Sequence, residues 1–275
     1  MTDDLKDVSQ HFEFGENWQD YASTIDESHV QRAMESMQRL LTKDELAGRT
    51  FLEIGSGSGI HTLSALRLGA ASALATDIDT NSVKTTSSML QKFAAERIWK
   101  SEEKSVFDLQ TEGFDIVYSW GVLHHTGNMM KALNNAMFPV ADQGILFIAI
   151  YNDQDISSSF WKKIKKIYCS NWLGKILIGG IFIPWFTLQS IAVGLIRYKN
   201  PMKQFSNYKS KRGMSIYHDW IDWLGGYPFE VAKPEMIFNL YKKHGYTLDN
   251  VITTNRLGCN QFVFRKTTVT DLLEN

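Results

Sequence analysis

The chain alternates short apolar runs with longer stretches in which apolar residues recur every three or four positions, the pattern of strands alternating with helices. Phe51, Leu52 and Ile54 form the first run. Leu63, Leu66 and Leu68 follow at helical spacing, after the closely spaced Gly55, Gly57 and Gly59. Residues 74–77, 114–119 and 145–150 repeat the strand pattern, and helices are predicted over 80–96 and 129–138. Ahead of the first run, Val30, Met34, Met37, Leu40 and Leu41 predict an amphipathic helix over 28–41. A helix opened by Pro234 and Glu235 and two strands, over 246–254 and 261–264, close the chain. The expected third strand is poorly marked, because the sequence near 101–109 is short and charged.

The glycine turn is where chemistry enters. Glycines permit a tight turn and let a ligand approach bare backbone, and the helix that follows presents unpaired N–H groups. Gly55, Ser56, Gly57 and Gly59 are therefore candidate ligand contacts. Glu53, just before the turn, suits a ligand with a positively charged amino-acid portion. Asp77 lies about twenty residues past the glycines, the separation at which an acid grips a ribose diol. No GxxxxGK[ST] phosphate loop is present. A ribose ligand without a bound pyrophosphate points to S-adenosylmethionine rather than NAD.

Taken in order, E-I-G-S-G-S-G, A-T-D-I-D and F-D-I-V-Y-S-W-G-V-L-H-H resemble the motifs of class I S-adenosylmethionine-dependent methyltransferases. The resemblance implies an α/β fold: a Rossmann-like, seven-stranded, mostly parallel sheet with an antiparallel last strand. It also implies that Ile78, beside Asp77, and Val106, Phe107 and Asp108 border the adenosine. N-terminal segments in that family often close over the cofactor, which makes Asn17 and Trp18 candidate contacts; a Trp18 packed on the sheet is the alternative. Further stretches, I-Y-N-D-Q, D-W-L-G-G-Y-P-F-E-V-A and L-G-C-N-Q-F-V-F, resemble a bacterial group of small-molecule methyltransferases distantly like quinol O-methyltransferases.

Ligands of open α/β sheets bind beyond the C-terminal strand ends, so the glycine turn, Asp77 and the loop from Trp120 to His125 should meet. His124 or His125 is a candidate general base, since imidazole titrates near neutral pH; a brace for the loop is the alternative. Tyr151 and Asp153 leave the fifth strand at the same edge. Between 213 and 232, His218, Asp219, Asp222, Tyr227 and Glu230 stand among Trp220, Trp223 and Phe229, a mixture that suits a substrate pocket. Asp219 and Asp153 are further base candidates; His218, Asp222, Trp223, Tyr227 and Glu230 are candidate substrate contacts.

Charge changes the picture. The formal net charge is −1. Between 156 and 215, however, there are eleven lysines and arginines and no acid. With 29 basic and 30 acidic residues overall, the rest of the chain carries 18 basic against 30 acidic. Inside this block, residues 176–196 are uncharged and long enough to span a bilayer. Pro184 should kink or break a single helix there, and a span would separate two parts of one sheet. A helical insertion forming a substrate lid over 156–227 is expected, set within a cofactor domain of 1–155 and 228–275. A basic, apolar surface resting on anionic lipid through 160–212 and a subunit interface are the other readings. Nucleic acid is not expected as a partner, because no RNA-binding motif accompanies the basic block.

Cys169 and Cys259 make no disulfide framework, and no ligand spacing suggests a metal. The acidic start lacks the features of a signal peptide. A cytoplasmic location follows, with peripheral attachment at the inner membrane face under the lipid reading. The expected activity is methyl transfer to a nucleophilic oxygen of a quinol, sugar or secondary metabolite. Transfer to a small thiol or sulfide is the runner-up. An NAD-dependent dehydrogenase and a non-catalytic cofactor-binding module are the alternatives of other classes.

Overall fold

The computed structural model describes residues 14–110, 113–212 and 216–267. Three helices lead in: α1 (Phe14–Ser23), α2 (Glu27–Met37) and the single turn α3 (Lys43–Leu46). Then come β1 (Thr50–Ile54), α4 (Ile60–Arg67), β2 (Ser72–Asp77), α5 (Thr80–Phe93), β3 (Ile98–Glu103), β4 (Phe114–Trp120), α6 (Met129–Asn135) and β5 (Val140–Tyr151). Four helices follow: α7 (Ile156–Ser170), α8 (Trp172–Tyr198), α9 (Pro201–Arg212) and α10 (Ile216–Gly225). The chain then returns through α11 (Pro234–Lys243), β6 (Tyr246–Ile252) and β7 (Cys259–Lys266).

The seven strands form one sheet in the order β3-β2-β1-β4-β5-β7-β6. β1 to β5 are parallel, and β7 runs antiparallel to both β5 and β6. Both faces are covered, which is why the central strands read as continuous apolar runs. Phe51, Ile116, Tyr118 and Phe147 pack on one side with α2, α4 and α5. Their neighbours Leu52, Val117, Leu146 and Ile148 pack on the other with α6 and α11. The strand order reverses between β1 and β4, so the crevice for a ligand opens beyond their C-terminal ends.

Several expectations are corrected. The third strand lies at Ile98–Glu103, earlier than the charged stretch suggested. It is an edge strand with no fully buried position, so burial never imposed an apolar pattern on it. Residues 14–23, for which the sequence pattern predicts no element, are helical. The apolar segment is one 27-residue helix that runs through Pro184. The flexible Gly179 and Gly180 stand one turn before the proline, where its ring meets the preceding backbone. Residues 11–13 of the N-terminal segment and 213–215 lie outside the described residues, as do the side chains of Asn17 and His218.

Candidate active site

The loop after β1 is built from backbone that only glycine adopts comfortably. Gly55 and Gly59 both have φ of 77°. A Cβ on Gly55 would stand 2.4 Å from Val122 Cγ2, and one on Gly59 would stand 2.9 Å from Thr86 Cγ2. A Cβ on Gly57 would lie 3.0 Å from Cε2 of Trp18, so the indole of α1 rests on the loop. The Gly55 and Ser56 N–H groups both donate to the Thr76 carbonyl, at 2.8 and 3.0 Å, tying the loop to the end of β2.

Asp77 completes this arrangement. One carboxylate oxygen accepts from Gly57 N at 2.9 Å and the other from Asp79 N at 3.0 Å. Asp79 in turn caps α5 through Asn81 N and Ser82 N. Burial pushes the Asp77 carboxyl up to about 6, against the opposing backbone hydrogen bonds. Lys104 N donates to the Asp77 carbonyl at 2.8 Å, which brings the short turn Val106–Asp108 alongside. Val106 is buried in the core against the α6 side, and Phe107 is half-buried beneath the Lys131 ammonium, 5.1 Å from its ring centre. Ile78 is half-buried.

Glu53 is buried and engaged by the protein itself. It accepts from Thr62 N at 2.9 Å and from the Thr62 hydroxyl, and His61 Nδ1 lies 3.3 Å away. His61 also stacks obliquely on Tyr118 and Trp120. Trp120 itself, at the end of β4, is exposed. The sequence pattern did not single out His61, Thr62 or Val122.

A second group of side chains begins two residues beyond Val122. His124 is fully buried; its Nδ1 accepts from Tyr151 N at 3.3 Å, so the neutral ring carries its proton on Nε2. Among the described residues Nε2 has no hydrogen-bonding partner. Burial holds His124 well below the usual histidine range, hence uncharged. His125 has the opposite tautomer: Nδ1 donates to the Pro228 carbonyl at 2.7 Å, leaving Nε2 as the basic nitrogen. Tyr151 packs against both rings and against Trp223 and Phe229.

Lys165 of α7 closes this aromatic group and escaped the sequence reading. It is 1% exposed, its Nζ donates to the Trp223 carbonyl, and it lies over the Trp223 and Phe229 rings at 4.0 and 5.0 Å. Burial pulls its ammonium down to about 7. A signal for it existed: Trp161 precedes it by four residues and Tyr168 and Cys169 follow by three and four, so Lys165 alone among its neighbours sits on the apolar face of α7.

The remaining candidates are arranged differently. Glu230 accepts from Met129 N at 3.0 Å at the start of α6, and its own N–H donates to the His124 carbonyl, so it braces the histidine loop. Asp153 accepts from Asp155 N at 2.9 Å at the turn into α7. Asp219 and Asp222 lie half-buried on α10; Asp222 is close enough to favour the charged form of Lys165. Tyr227 is half-buried next to Pro228.

A glycine loop tied to an acidic β2 end, at the switch point of this sheet order, defines a Rossmann-like methyltransferase fold. The chain belongs to the methyltransferase domain family: a model of that description matches residues 26–213, well over half of its length. It is 34% identical over 104 residues to the ribosomal protein L11 methyltransferase of Histophilus somni (strain 2336), covering 37% of this chain and 34% of that protein. The chain thus spans about a third of the length of that relative. Among solved structures, an O-methyltransferase family protein from Burkholderia thailandensis superposes with a TM-score of 0.53 at 12% identity, over 87% of this chain and 55% of that one. The N-methyltransferase NodS of Bradyrhizobium japonicum WM9, solved with S-adenosyl-L-homocysteine, gives 0.50 at 13%, over 86% and 87%. At such identities these likenesses concern the fold.

Proposed function

We propose that the protein transfers the methyl group of S-adenosylmethionine to a nucleophilic oxygen of a small, largely apolar acceptor such as a quinol or a related secondary metabolite. One observation carries this reading. Val122 packs on the glycine loop, and two residues later His124 and His125 enter an aromatic group containing Tyr151, Trp223, Phe229 and Lys165. A cofactor pole and an acceptor pole are thus joined by one short segment.

The residues present suit the cofactor. A half-buried carboxylate at the end of β2 keeps acceptor capacity on both oxygens for ribose hydroxyls, and Trp18 covers the loop. S-adenosylmethionine, when bound, supplies an electrophilic sulfonium methyl. The chain's own contribution is positioning and exclusion of water, which supply much of the acceleration of an in-line displacement. His125 Nε2 takes the acceptor's proton. His124 Nε2–H serves as a donor that orients the acceptor. Helices α7 and α10 form the lid.

The test is labelled methyl transfer from S-adenosylmethionine to panels of quinols, phenols and thiols. Turnover of hydroxyl acceptors is expected, lost in His125→Gln while S-adenosylmethionine still binds. Turnover of thiols alone would shift the reading to sulfur, which the aromatic surroundings also accommodate. Cofactor binding without turnover of any acceptor would point to a non-catalytic module.

A further inference from the structure

Helix α8 is apolar on both faces, yet among the described residues only one face is covered. Every fourth residue from Gly174 through Ile178, Phe182, Phe186 and Ser190 to Gly194 turns toward the protein. The terminal glycines permit close contact: a Cβ on Gly174 would meet the Ile167 carbonyl of α7, and one on Gly194 the Pro201 carbonyl of α9. The opposite face carries Leu173, Ile176, Leu177, Ile181, Trp185 and Leu188, each more than half exposed. A soluble lid carries a polar outer face, and a helix apolar all round is one that is buried.

The surroundings identify what covers it. Lys162, Lys163, Lys166, Lys175, Arg197, Lys199 and Lys203 are all exposed along α7, α8, the turn after it and the start of α9, and no acid occurs between 156 and 215. A second copy of this chain would set one acid-free basic strip against another. An anionic bilayer supplies both hydrocarbon for the stripe and negative charge for its rim. Trp172 and Trp185 are exposed on the same helix, and indoles favour the headgroup level. Spanning does not fit, although α8 alone among the described residues is long and apolar enough to cross a membrane. Helices α7 and α9 pack along it, and the chain comes back through α10 to the sheet edge, where the Trp223 carbonyl binds Lys165.

We propose that α8 lies in the plane of an anionic membrane surface, its outer face in the acyl boundary and the lysines of α7 and α9 among the headgroups. The test is flotation of the full-length protein with vesicles of phosphatidylcholine alone or mixed with phosphatidylglycerol. Binding to the mixed vesicles is expected, weakened by salt. Lys162→Gln and Lys166→Gln should each weaken it by about fivefold. The double variant Leu177→Glu, Ile181→Glu should abolish it, with thermal unfolding as the check that the variant folds. The assay needs neither cofactor nor acceptor, so it stands apart from the methyl-transfer reading. Failure of the wild-type protein to float with anionic vesicles would overturn the proposal. So would unchanged flotation of a folded double variant, or a lipid-free dimer that this variant dissociates.

Discussion

The ammonium of Lys165 stands 4.0 Å from the ring centre of Trp223 and donates to the carbonyl of that same residue. One tryptophan thus offers the buried cation both a π-face and a backbone acceptor, and both interactions favour its charged form. Burial opposes them and prevails, bringing the group to about 7 from an ordinary 10.5.

That balance predicts a pH-dependent stability. Between about pH 7 and 10.5 the unfolded chain holds a proton on Lys165 that the folded chain lacks, so this group makes stability rise with pH across the window. Lys165→Met should flatten that rise and raise the melting temperature more at pH 6 than at pH 10. Thermal melts of both proteins check this; identical slopes would show that the lysine is solvated.

Asp77 works in the opposite sense. Its carboxyl is raised from 3.8 to about 6, so its own contribution to stability falls as pH rises between those values. Affinity for S-adenosylmethionine should strengthen as pH rises through about 6, because the ionised form accepts from the ribose better. Asp77→Asn should weaken binding roughly ten- to hundredfold at pH 7.5 and remove the pH dependence. Calorimetric titrations at pH 5 and 7.5 measure both effects.

The two histidines should separate in kinetics. His125→Gln should lower kcat by about a hundredfold or more, the range for loss of a general base, with cofactor affinity unchanged. His124→Gln should act mainly on acceptor KM and on stability, since its Nδ1 is committed to Tyr151 N. Equal kcat losses with no KM effect would contradict this division.

Two glycines with almost the same backbone provide a steric contrast. Gly55 and Gly121 have φ of 77° and 78°, but a Cβ on Gly121 meets nothing within 4 Å. Gly121→Ala should cost about 1 kcal/mol of backbone strain. Gly55→Ala should cost roughly 2–4 kcal/mol, combining that strain with overpacking against Val122. Adding Val122→Ala should recover part of the Gly55→Ala loss in denaturant unfolding.

What the sequence disclosed follows burial. β1, β4 and the later part of β5 were legible because both faces of the sheet are packed. β3 was obscured because an edge strand tolerates Lys100, Glu102 and Glu103. The glycine loop and Asp77 were visible as a spacing, whereas the engagement of Glu53 by Thr62 and His61 depends on the first turn of α4. Lys165 was hidden among eleven basic residues, distinguished only by which face of α7 meets α10. The persistence of α8 through Pro184 could not be read from a local breaker rule, since its packing against α7 and α9 is a tertiary feature.

The rings of Phe182 and Phe186 on the inner face of α8 touch Trp161, Trp161 touches Trp223, and Trp223 touches Tyr151. With α8 at a bilayer surface, this row links the hydrocarbon phase to the acceptor pole. Turnover of a lipid-soluble acceptor would then follow its mole fraction within the vesicle rather than its bulk concentration. Diluting it with inert lipid would slow the reaction, and diluting the whole suspension with buffer, while the protein remained bound, would not.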